Sequence, residues 1–370
     1  MFTAIQRARV VRAWREGLPA AWDAVLLPAA VAYGAGLALR RLGYASGIFR
    51  RRSLPCRVVG VGNLTVGGTG KTPLVELLAR ALAARKQRVV VLSRGYGRRA
   101  GGAVAAVTDG GRWLLTAREA GDEPALLARR LADVPGSVPV VVGRDRFRAG
   151  LWAVERFRPD VLLLDDGFQH WRLRKDVEVV CLDARAPWGS GGLLPRGSLR
   201  EPAAALGRAD LLVLTHGDAA GDLERLRAEL RVWAPTAPIA VGAYEPDGVM
   251  ELGSGAVYPL EALRGTSVLA FAGIAVPENF AGTLRGLGIG PRDLVAFPDH
   301  HPYGAGDLAG LEARAREVGA TALVTTEKDA VRLPLTGTLP VWALRIRLRL
   351  DDAGGAWWAA LEARLATPRP

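Results

Sequence analysis

From residue 55 onward, short apolar runs alternate with segments whose apolar residues recur at helical spacing. Near-continuous apolar character is typical of strands buried on both faces, and it predicts strands at RVVGVGN, RVVVLSRG, VPVVVG, DVLLLDDG, VEVVCLDA and ADLLVLTH. The intervening segments TPLVELLARALAAR, PALLARRLA and RFRAGLWAVERF are predicted to be helices. This alternation predicts an α/β fold with a mainly parallel sheet and helices on both faces.

A second alternating set follows a Pro-rich stretch, APTAPIAVGAYEPDG, that we interpret as a linker near 235–250 with one short strand in it. The set comprises SVLAFAGIA, NFAGTLRGLG, DLVAFPDH, AGLEARAREVG, ALVTTEKDA and VWALRIRLRL. We therefore expect a core domain at 53–235 and a smaller α/β domain at 236–350. They are flanked by an N-terminal segment at 1–52 and a helix at 351–370 that can pack back on the core.

The N-terminal segment carries an uncharged run at 24–39, AVLLPAAVAYGAGLAL, with arginines on both sides. A helix that spans a bilayer needs about 20 apolar residues, and this run is shorter and contains Pro28. The pattern favours a peripheral or monotopic segment in the membrane interface, with its arginines on anionic lipid. A short span, a buried helix and a cleaved signal peptide are the alternatives.

The composition limits the possible classes of binding partner without selecting one. The formal charge of +12 and the pI of about 10.5 favour phosphorylated small molecules, anionic lipids or nucleic acid. No nucleic-acid-binding motif accompanies the arginines, so nucleic acid is not expected, and no obligate protein partner is predicted. Cys56 and Cys181 each adjoin an apolar run, which predicts buried free thiols in a reducing compartment.

The strongest local motif is TVGGTGKT, placed between a predicted strand and a predicted helix. Its residues are Thr65, Val66, Gly67, Gly68, Thr69, Gly70, Lys71 and Thr72. In a P-loop, backbone N–H groups surround the phosphates, the lysine reaches the β- and γ-phosphates, and the last hydroxyl binds Mg²⁺. Thr65 stands where the usual pattern has glycine, but the strand and helix are where the mechanism needs them. The motif predicts a P-loop NTPase-like fold that binds ATP with Mg²⁺.

A P-loop enzyme needs a carboxylate at the end of a neighbouring strand. Asp165 and Asp166 in DVLLLDDGFQH are placed there, and two adjacent carboxylates are costly without a nearby cation. We interpret them as metal-side residues, with a simple polar strand end as the alternative.

Three further clusters are weaker. GDEPALLARR places Asp122 and Glu123 at a predicted helix start, where plain capping competes with function. LLPRGSLREP holds Arg196, Arg200 and Glu201, which suits either a phosphate clamp or a surface loop. FPDHHPY follows a strand and carries an acid and two histidines, which makes a general base plausible.

Together these pieces resemble the tetraacyldisaccharide 4'-kinase family. The matching pieces, in order between about 55 and 330, are GVGNLTVGGTGKTP, SRGYGR, GDEP, VVVGRDR, LLLDDGFQH, LLPRGSLREP, FAGIAVPENF, FPDHHPY and TTEKDA. The family's first P-loop residue is likewise a small hydroxyl residue, which accounts for Thr65.

The resemblance implies transfer of the ATP γ-phosphate to the 4'-hydroxyl of a tetraacylated glucosamine disaccharide 1-phosphate. The reaction belongs to lipid A biosynthesis at the cytoplasmic face of the bacterial inner membrane. By position, Asp122 and His300 are implied as the dyad that activates the hydroxyl, with His301 as the alternative to His300, and Asp165 and Asp166 as metal-side carboxylates. The residues implied to support the site or contact substrate are Glu123, Gln169, His170, Arg200 and Glu201.

The competing interpretation is a membrane-associated P-loop NTPase that acts as a switch. A GTPase would carry an N-K-x-D motif after a strand, and TTEKDA is only a distant likeness of it.

Overall fold

The structure is a computed structural model that describes residues 14, 20–95, 104–274, 276–299, 301–334, 337–352 and 354–367. Its chain forms two compact units, and the divisions fall between Tyr244 and Glu245 and between Arg347 and Leu348. The larger unit takes the described residues up to Tyr244 and from Leu348 onward, and the smaller unit takes Glu245–Arg347.

The larger unit is built on a mainly parallel sheet. Its strands are β1 (Arg57–Gly62), β2 (Val89–Ser93), β3 (Val104–Thr108), β4 (Val140–Gly143), β5 (Val161–Asp165), β6 (Val177–Asp183), β7 (Leu211–Thr215) and β8 (Ile239–Glu251). They lie in the order β8, β7, β6, β1, β5, β2, β4, β3. Neighbours from β8 to β4 pair in parallel, and the edge strand β3 pairs antiparallel with β4. The carboxyl ends of β1, β5 and β6 therefore meet at one edge.

Helices cover both faces of this sheet. They are α1 (Ala20–Ala45), α2 (Lys71–Ala84), α3 (Ala117–Ala120), α4 (Asp122–Arg130), α5 (Arg146–Phe157) and α6 (Leu223–Trp233). Successive residues of a strand point to opposite faces. Val59 of β1 packs in the core that contains α2 and α4, and Val58 packs in the core that contains α5. The predicted α/β fold with helices on both faces is confirmed.

The smaller unit contains its own set of parallel strands, the last of which continues past the division after Arg347. Its elements are β9 (Val257–Tyr258), β10 (Val268–Ala272), α7 (Pro277–Gly286), β11 (Asp293–Ala296), α8 (Ala305–Glu317), β12 (Ala322–Thr326), α9 (Glu327–Ala330) and β13 (Val341–Asp351). Strands β11, β10, β12 and β13 pair in parallel in that order, and β9 pairs antiparallel with the end of β8. Two apolar cores lie on this unit's strands, one of them centred on Phe271.

The chain returns to the larger unit at Leu348, within β13, and then forms α10 (Ala356–Ala366). Trp357 is fully buried in the core of β1, α2 and α4, and its indole N–H donates to the Leu212 carbonyl at 2.9 Å. The last helix is therefore a core element of the larger unit.

Helix α1 is longer than its uncharged run suggested. It spans 26 residues, or about 39 Å at 1.5 Å per residue, and Pro28 lies inside it. Among the described residues, one helical segment, Trp22–Ala45, has the length and apolar composition that a membrane crossing requires. The prediction from 24–39 alone underestimated this length because the helix continues through Arg40 and Arg41.

Helix α1 nevertheless meets the rest of the larger unit along one stripe. The residues that are at least partly buried recur every three or four positions, which keeps them on one face. They are Asp23, Leu26, Ala30, Tyr33, Leu37, Arg40 and Tyr44, with Gly34 and Gly43 beside Tyr33 and Tyr44. Other faces expose large apolar residues, including Val31, Leu39 and Leu42, each more than half exposed.

The sequence missed two features of the sheets. Strand β3 was not predicted, and the stretch interpreted as a linker with one short strand is the continuous 13-residue strand β8. The division between the units falls inside β8, directly after Tyr244. Both cysteines are buried free thiols, as predicted.

Candidate active site

The P-loop joins β1 to α2 at the carboxyl edge of the larger sheet. Asn63 stabilises the P-loop, because its side-chain amide donates to the Thr65 carbonyl at 2.7 Å and to the Thr69 hydroxyl at 2.9 Å. Gly70 begins the helix with a φ of 82°, and a Cβ there would lie 1.7 Å from the Tyr244 hydroxyl. Only glycine fits this position, and the backbone of the loop can therefore turn tightly into the helix.

Two side chains from the neighbouring strands β6 and β7 hydrogen-bond to the P-loop backbone. The Cys181 thiol and the Thr215 hydroxyl both donate to the Thr69 carbonyl, at 2.8 Å and 3.0 Å. Burial raises the pKa of the Cys181 thiol to about 12, so it stays protonated and remains a donor at neutral pH. The buried thiol predicted from the sequence thus has a role in holding the P-loop.

Asp165 ends β5 and is almost completely buried at this edge. The Ser93 hydroxyl is 3.1 Å from its carboxylate. Burial, with the negative charge of Glu123, raises the pKa of Asp165 to about 7, although Lys71 acts in the opposite direction. An acid whose ionisation is this costly is ready to be neutralised by a cation.

Asp166 lies in a different environment one residue later. Lys71 Nζ is 3.6 Å from its Oδ1, and Arg200 Nη1 lies 2.8 Å and 2.9 Å from its two carboxylate oxygens. Burial alone would raise the pKa of Asp166, but Lys71 and Arg200 outweigh it and hold that pKa below its usual value. Asp166 is therefore a fixed anion between two cations.

The loop that contains Arg200 is part of the P-loop structure. The Arg200 N–H donates to the Leu64 carbonyl and the Val66 N–H donates to the Ser198 carbonyl, both at 2.7 Å. Gln169 links Asn63 with Arg200, because its amide donates to the Asn63 carbonyl at 2.9 Å and its Oε1 accepts from Arg200 at 3.4 Å. The P-loop, DDGFQH and LREP motifs are thus brought together. Glu201 instead pairs with Arg208 at 2.9 Å.

Sequence reasoning missed Arg146 as a site residue. It starts α5 directly after β4, is 4% exposed, and donates to the carbonyl of Gly143 at 3.3 Å. Its positive charge acts on Asp166 and on His170. The available signal was its position in VVVGRDR, immediately after an apolar strand whose carboxyl end lies at this edge.

His170 is neutral at physiological pH. Burial and the charge of Arg146 lower its pKa to about 4. Its Nε2 is buried, and no partner among the described residues hydrogen-bonds it. It can accept or donate a hydrogen bond, depending on its tautomer, without adding charge.

The GDE motif lies near these carboxylates. Gly121 has a φ of 95°, and α4 begins at Asp122, which is partly buried, followed by Glu123, which is exposed. Because the charge of Glu123 acts on Asp165, this helix start and the end of β5 are close in space. The position also fits the capping interpretation, since acids are favourable at a helix N-terminus.

Of the DHH motif, His300 lies outside the described residues. His301 is described, and it is held within the smaller unit: its Nε2 is 3.2 Å from Asp307, and its ring packs against Phe297 and Tyr303. The Tyr303 hydroxyl reaches the buried Asp329 of the TTEKDA motif at 3.1 Å. His301 is therefore part of the packing that joins these two motifs.

Helix α1 reaches the same network through two of its stripe residues. The Tyr33 hydroxyl donates to the Arg200 carbonyl and Arg40 donates to the Gln169 carbonyl, both at 2.8 Å. Asp23 also pairs with Arg196 at 2.7 Å. Arg200, which contacts Asp166, and Gln169 are thus hydrogen-bonded to the exposed apolar helix.

No group of three or more His, Cys, Asp or Glu side chains among the described residues could hold a metal ion without other ligands. Mg²⁺ in phosphotransferases is usually held by one or two carboxylates together with substrate phosphates and water. Asp165, Asp166 and the Thr72 hydroxyl provide a donor set of this kind, so the residues present fit Mg²⁺.

Comparison with known proteins agrees with this geometry. The family model described as tetraacyldisaccharide-1-P 4'-kinase matches residues 22–366. Tetraacyldisaccharide 4'-kinase from Syntrophus aciditrophicus is 46% identical over 328 residues, which cover 86% of this chain and 87% of that protein. The protein of the same name from Geobacter metallireducens is 45% identical and covers 94% of this chain and 95% of its own length.

A solved structure agrees as well. LpxK from Aquifex aeolicus, crystallised in complex with ATP, superposes with a TM-score of 0.77 at 32% identity, covering 94% of this chain and all of that one. The resemblance found in the sequence is thereby confirmed over nearly the whole chain. This protein belongs to the tetraacyldisaccharide-1-P 4'-kinase family.

Proposed function

We propose that this chain transfers the γ-phosphate of ATP to the 4'-hydroxyl of a tetraacylated glucosamine disaccharide 1-phosphate. The observation that carries the proposal is the network in which Lys71 and Arg200 converge on Asp166 beside the P-loop. The family and its ATP-bound member from Aquifex aeolicus support both the acceptor and the nucleotide.

In this mechanism the P-loop binds the phosphates. Its backbone N–H groups and the start of α2 surround negative charge, and Lys71 offsets the charge that develops on the transferring group. Arg200 holds Asp166 and the P-loop in place, and the charge of Arg146 also acts on Asp166, so that Lys71 is positioned before ATP binds. Preorganised charge of this kind is the main source of catalysis in phosphoryl transfer.

Mg²⁺ would be held by Thr72, Asp165 and Asp166, and it would neutralise charge between the phosphates. Asp165 is the residue that most needs a cation, since its pKa is raised to about 7 by burial and by Glu123. His170 and Gln169 are neutral, so the positive charge of the site would come from the metal, Lys71 and the arginines.

Asp122 is the proposed general base. A sugar hydroxyl has a pKa far above neutral, so a carboxylate that takes its proton as the new P–O bond forms lowers the barrier. His300 is proposed as its partner in a dyad. The contacts that hold His301 against Asp307 and Phe297 support His300 as the active histidine of the pair.

Helix α1 is the proposed membrane-associating element. Its exposed apolar residues and the arginines that flank it suit a bilayer interface with anionic lipid. We place the enzyme at the cytoplasmic face of the inner membrane, bound peripherally or monotopically, because the acceptor is a lipid and ATP is cytoplasmic.

The test is transfer of ³²P from γ-labelled ATP to the tetraacyldisaccharide 1-phosphate in detergent micelles. We expect labelled lipid with the natural chain and ATP turnover that depends on the acceptor. ATP hydrolysis at the same rate with and without acceptor, and no labelled lipid, would instead support a membrane-associated switch.

A further inference from the structure

A second cationic region lies beside the carboxyl end of α1. It is a cavity of about 240 Å³ lined by Arg41, Ala45, Arg51, Trp171, Ala204, Gly207 and Arg208. Pockets for drug-sized ligands run from about 300 to 1,000 Å³. This cavity therefore suits a smaller group, of the size of a lipid headgroup.

The charge of the cavity is unbalanced. Arg41 and Arg51 are exposed, and among the described residues no carboxylate forms an ion pair with either. Arg208 is paired with Glu201 at 2.9 Å, so the lining arginines outnumber the acid that they contact. The positive charge of Arg51 also acts on Arg208. An anion between these guanidinium groups would relieve their repulsion.

Aromatic side chains stack on the faces of Arg208 and Arg51, and the Arg208 edge already contacts Glu201. Arg208 stacks over Trp171 at 4.2 Å and over Phe168 at 4.3 Å, and Arg51 lies over Tyr44 at 5.8 Å. Stacking uses the face of a guanidinium and leaves its N–H groups, which point from the edge, to bind oxygen. Such groups match the geometry of a phosphate.

The chain segment that contributes Arg41 and Ala45 to the cavity also exposes apolar side chains. Leu42, Ile48 and Phe49 lie one to four residues along the chain from these two residues and are exposed. A phosphate bound in the cavity would therefore have apolar surface beside it for attached acyl chains. A lipid-borne phosphate fits this combination better than a free phosphate ion does.

The cavity is also close to the site of phosphate transfer. Trp171 follows Asp166 by five residues, which would span at most about 18 Å if extended. A turn in which the His170 N–H donates to the Gly167 carbonyl at 2.9 Å shortens this path. Glu201, the partner of Arg208, directly follows Arg200, which contacts Asp166. Two short chain segments thus connect the cavity with the residues around Asp166.

We propose that this cavity binds a lipid-borne phosphate, and that its ligand is the 1-phosphate of the acceptor. The proposal rests on the proposed function and adds to it: the cavity fixes the end of the disaccharide opposite to the hydroxyl that reacts. Arg41, Arg51 and Arg208 are then specificity-determining residues, whereas Lys71 and Asp122 act on the reacting end.

The test compares two acceptors, the tetraacyldisaccharide with a 1-phosphate and the same lipid with a 1-hydroxyl. We expect the natural chain to prefer the 1-phosphate. Arg51→Ala and Arg41→Ala should lower kcat/KM by roughly 10- to 100-fold for the 1-phosphate acceptor, since each removes a charge-assisted hydrogen bond. For the 1-hydroxyl acceptor they should change kcat/KM by less than about 3-fold, because that acceptor makes no such bond.

Arg51→Lys should recover part of the preference, because it restores the charge without the planar fork. Arg50→Ala is the matched control: Arg50 is exposed, adjacent to Arg51, and does not line the cavity. It should retain the full preference for the 1-phosphate.

Two results would overturn the proposal while the natural chain still phosphorylates the lipid. One is an equal loss with both acceptors. The other is an unchanged preference combined with weaker sedimentation of the variants with phosphatidylglycerol vesicles, which would assign the cavity to bilayer headgroups. Failure of the natural chain to phosphorylate either acceptor would instead reject the proposed function.

Discussion

The larger unit has two cationic regions that differ in how their charge is balanced. At the P-loop, Lys71 and Arg200 both contact Asp166, at 3.6 Å and 2.8 Å. In the cavity beside α1, Arg41 and Arg51 contact no carboxylate among the described residues. Paired cations keep a fixed geometry and can be preorganised for a transition state, whereas unpaired cations near solvent attract an anion. This difference is the basis on which we propose catalysis at the first region and recognition of the acceptor at the second.

The largest expected effect comes from Lys71→Ala. Removing a cation that acts on the transferring phosphate should lower kcat by about 100- to 1,000-fold. Steady-state transfer of phosphate from ATP to the lipid measures this. Lys86→Asn, a change of the exposed lysine just after the same helix, is the control and should retain activity. A similar loss of kcat in the control would contradict a specific catalytic role for Lys71.

Arg200→Ala is expected to have the next largest effect. It removes the charged contacts with both carboxylate oxygens of Asp166 and should lower kcat by about 10- to 100-fold. Arg200→Lys should restore part of this activity, since a single Arg200 nitrogen makes these contacts. Arg196→Ala, in the same loop but in a half-exposed pair with Asp23, should cost less than about 3-fold. Equal effects of the Arg200 and Arg196 changes would contradict the assignment.

Glu201→Gln tests the ion pair that connects the two regions, because Glu201 follows Arg200 and its partner Arg208 lines the cavity. The carboxylate is buried, so loss of its charge should lower the free energy of unfolding by about 1–3 kcal/mol. Denaturant titration measures the change. Glu261→Gln breaks an exposed pair with Arg264 and should cost less than about 0.5 kcal/mol. If the two costs are equal, the Glu201–Arg208 pair is not a structural element.

The smallest expected effect is that of Tyr33→Phe. It deletes only the hydroxyl that donates to the Arg200 carbonyl, a hydrogen bond of about 0.5–1.5 kcal/mol. Because this bond holds Arg200 and not the nucleotide, kcat should fall by about 2- to 10-fold while KM for ATP stays constant. Tyr258→Phe, at an exposed tyrosine of the smaller unit, should change neither constant. A rise in KM for ATP alone would place Tyr33 in a different role.

Much of the fold could be predicted because its strands are buried on both faces. The runs at β1, β2, β4, β5, β6 and β7 are almost wholly apolar, and the P-loop motif marks the turn from β1 into α2. Strand β3 escaped prediction because it is a short antiparallel edge strand. Strand β8 escaped because Pro235, Pro238 and Pro246 lie in or beside it, and proline usually marks loops.

Site residues that belong to a sequence motif could be predicted. Site residues that are defined only by tertiary contacts could not. Asp165, Asp166 and Arg200 were found from their motifs, and the structure brings the three together around Lys71. The pairing of Glu201 with Arg208 and the stripe of Tyr33 and Arg40 on α1 depend on contacts between distant segments. A single sequence without long-range contacts contains no local signal for them.

The most direct measurement of the central claim is the position of the new phosphate on the product. The purified full-length protein would be incubated with ATP, Mg²⁺ and the tetraacyldisaccharide 1-phosphate, and the lipid examined by ¹H–³¹P correlation NMR. The account predicts a second phosphomonoester coupled to the proton at C4'. A phosphate at any other carbon, or an unchanged lipid with ATP consumed, would contradict it.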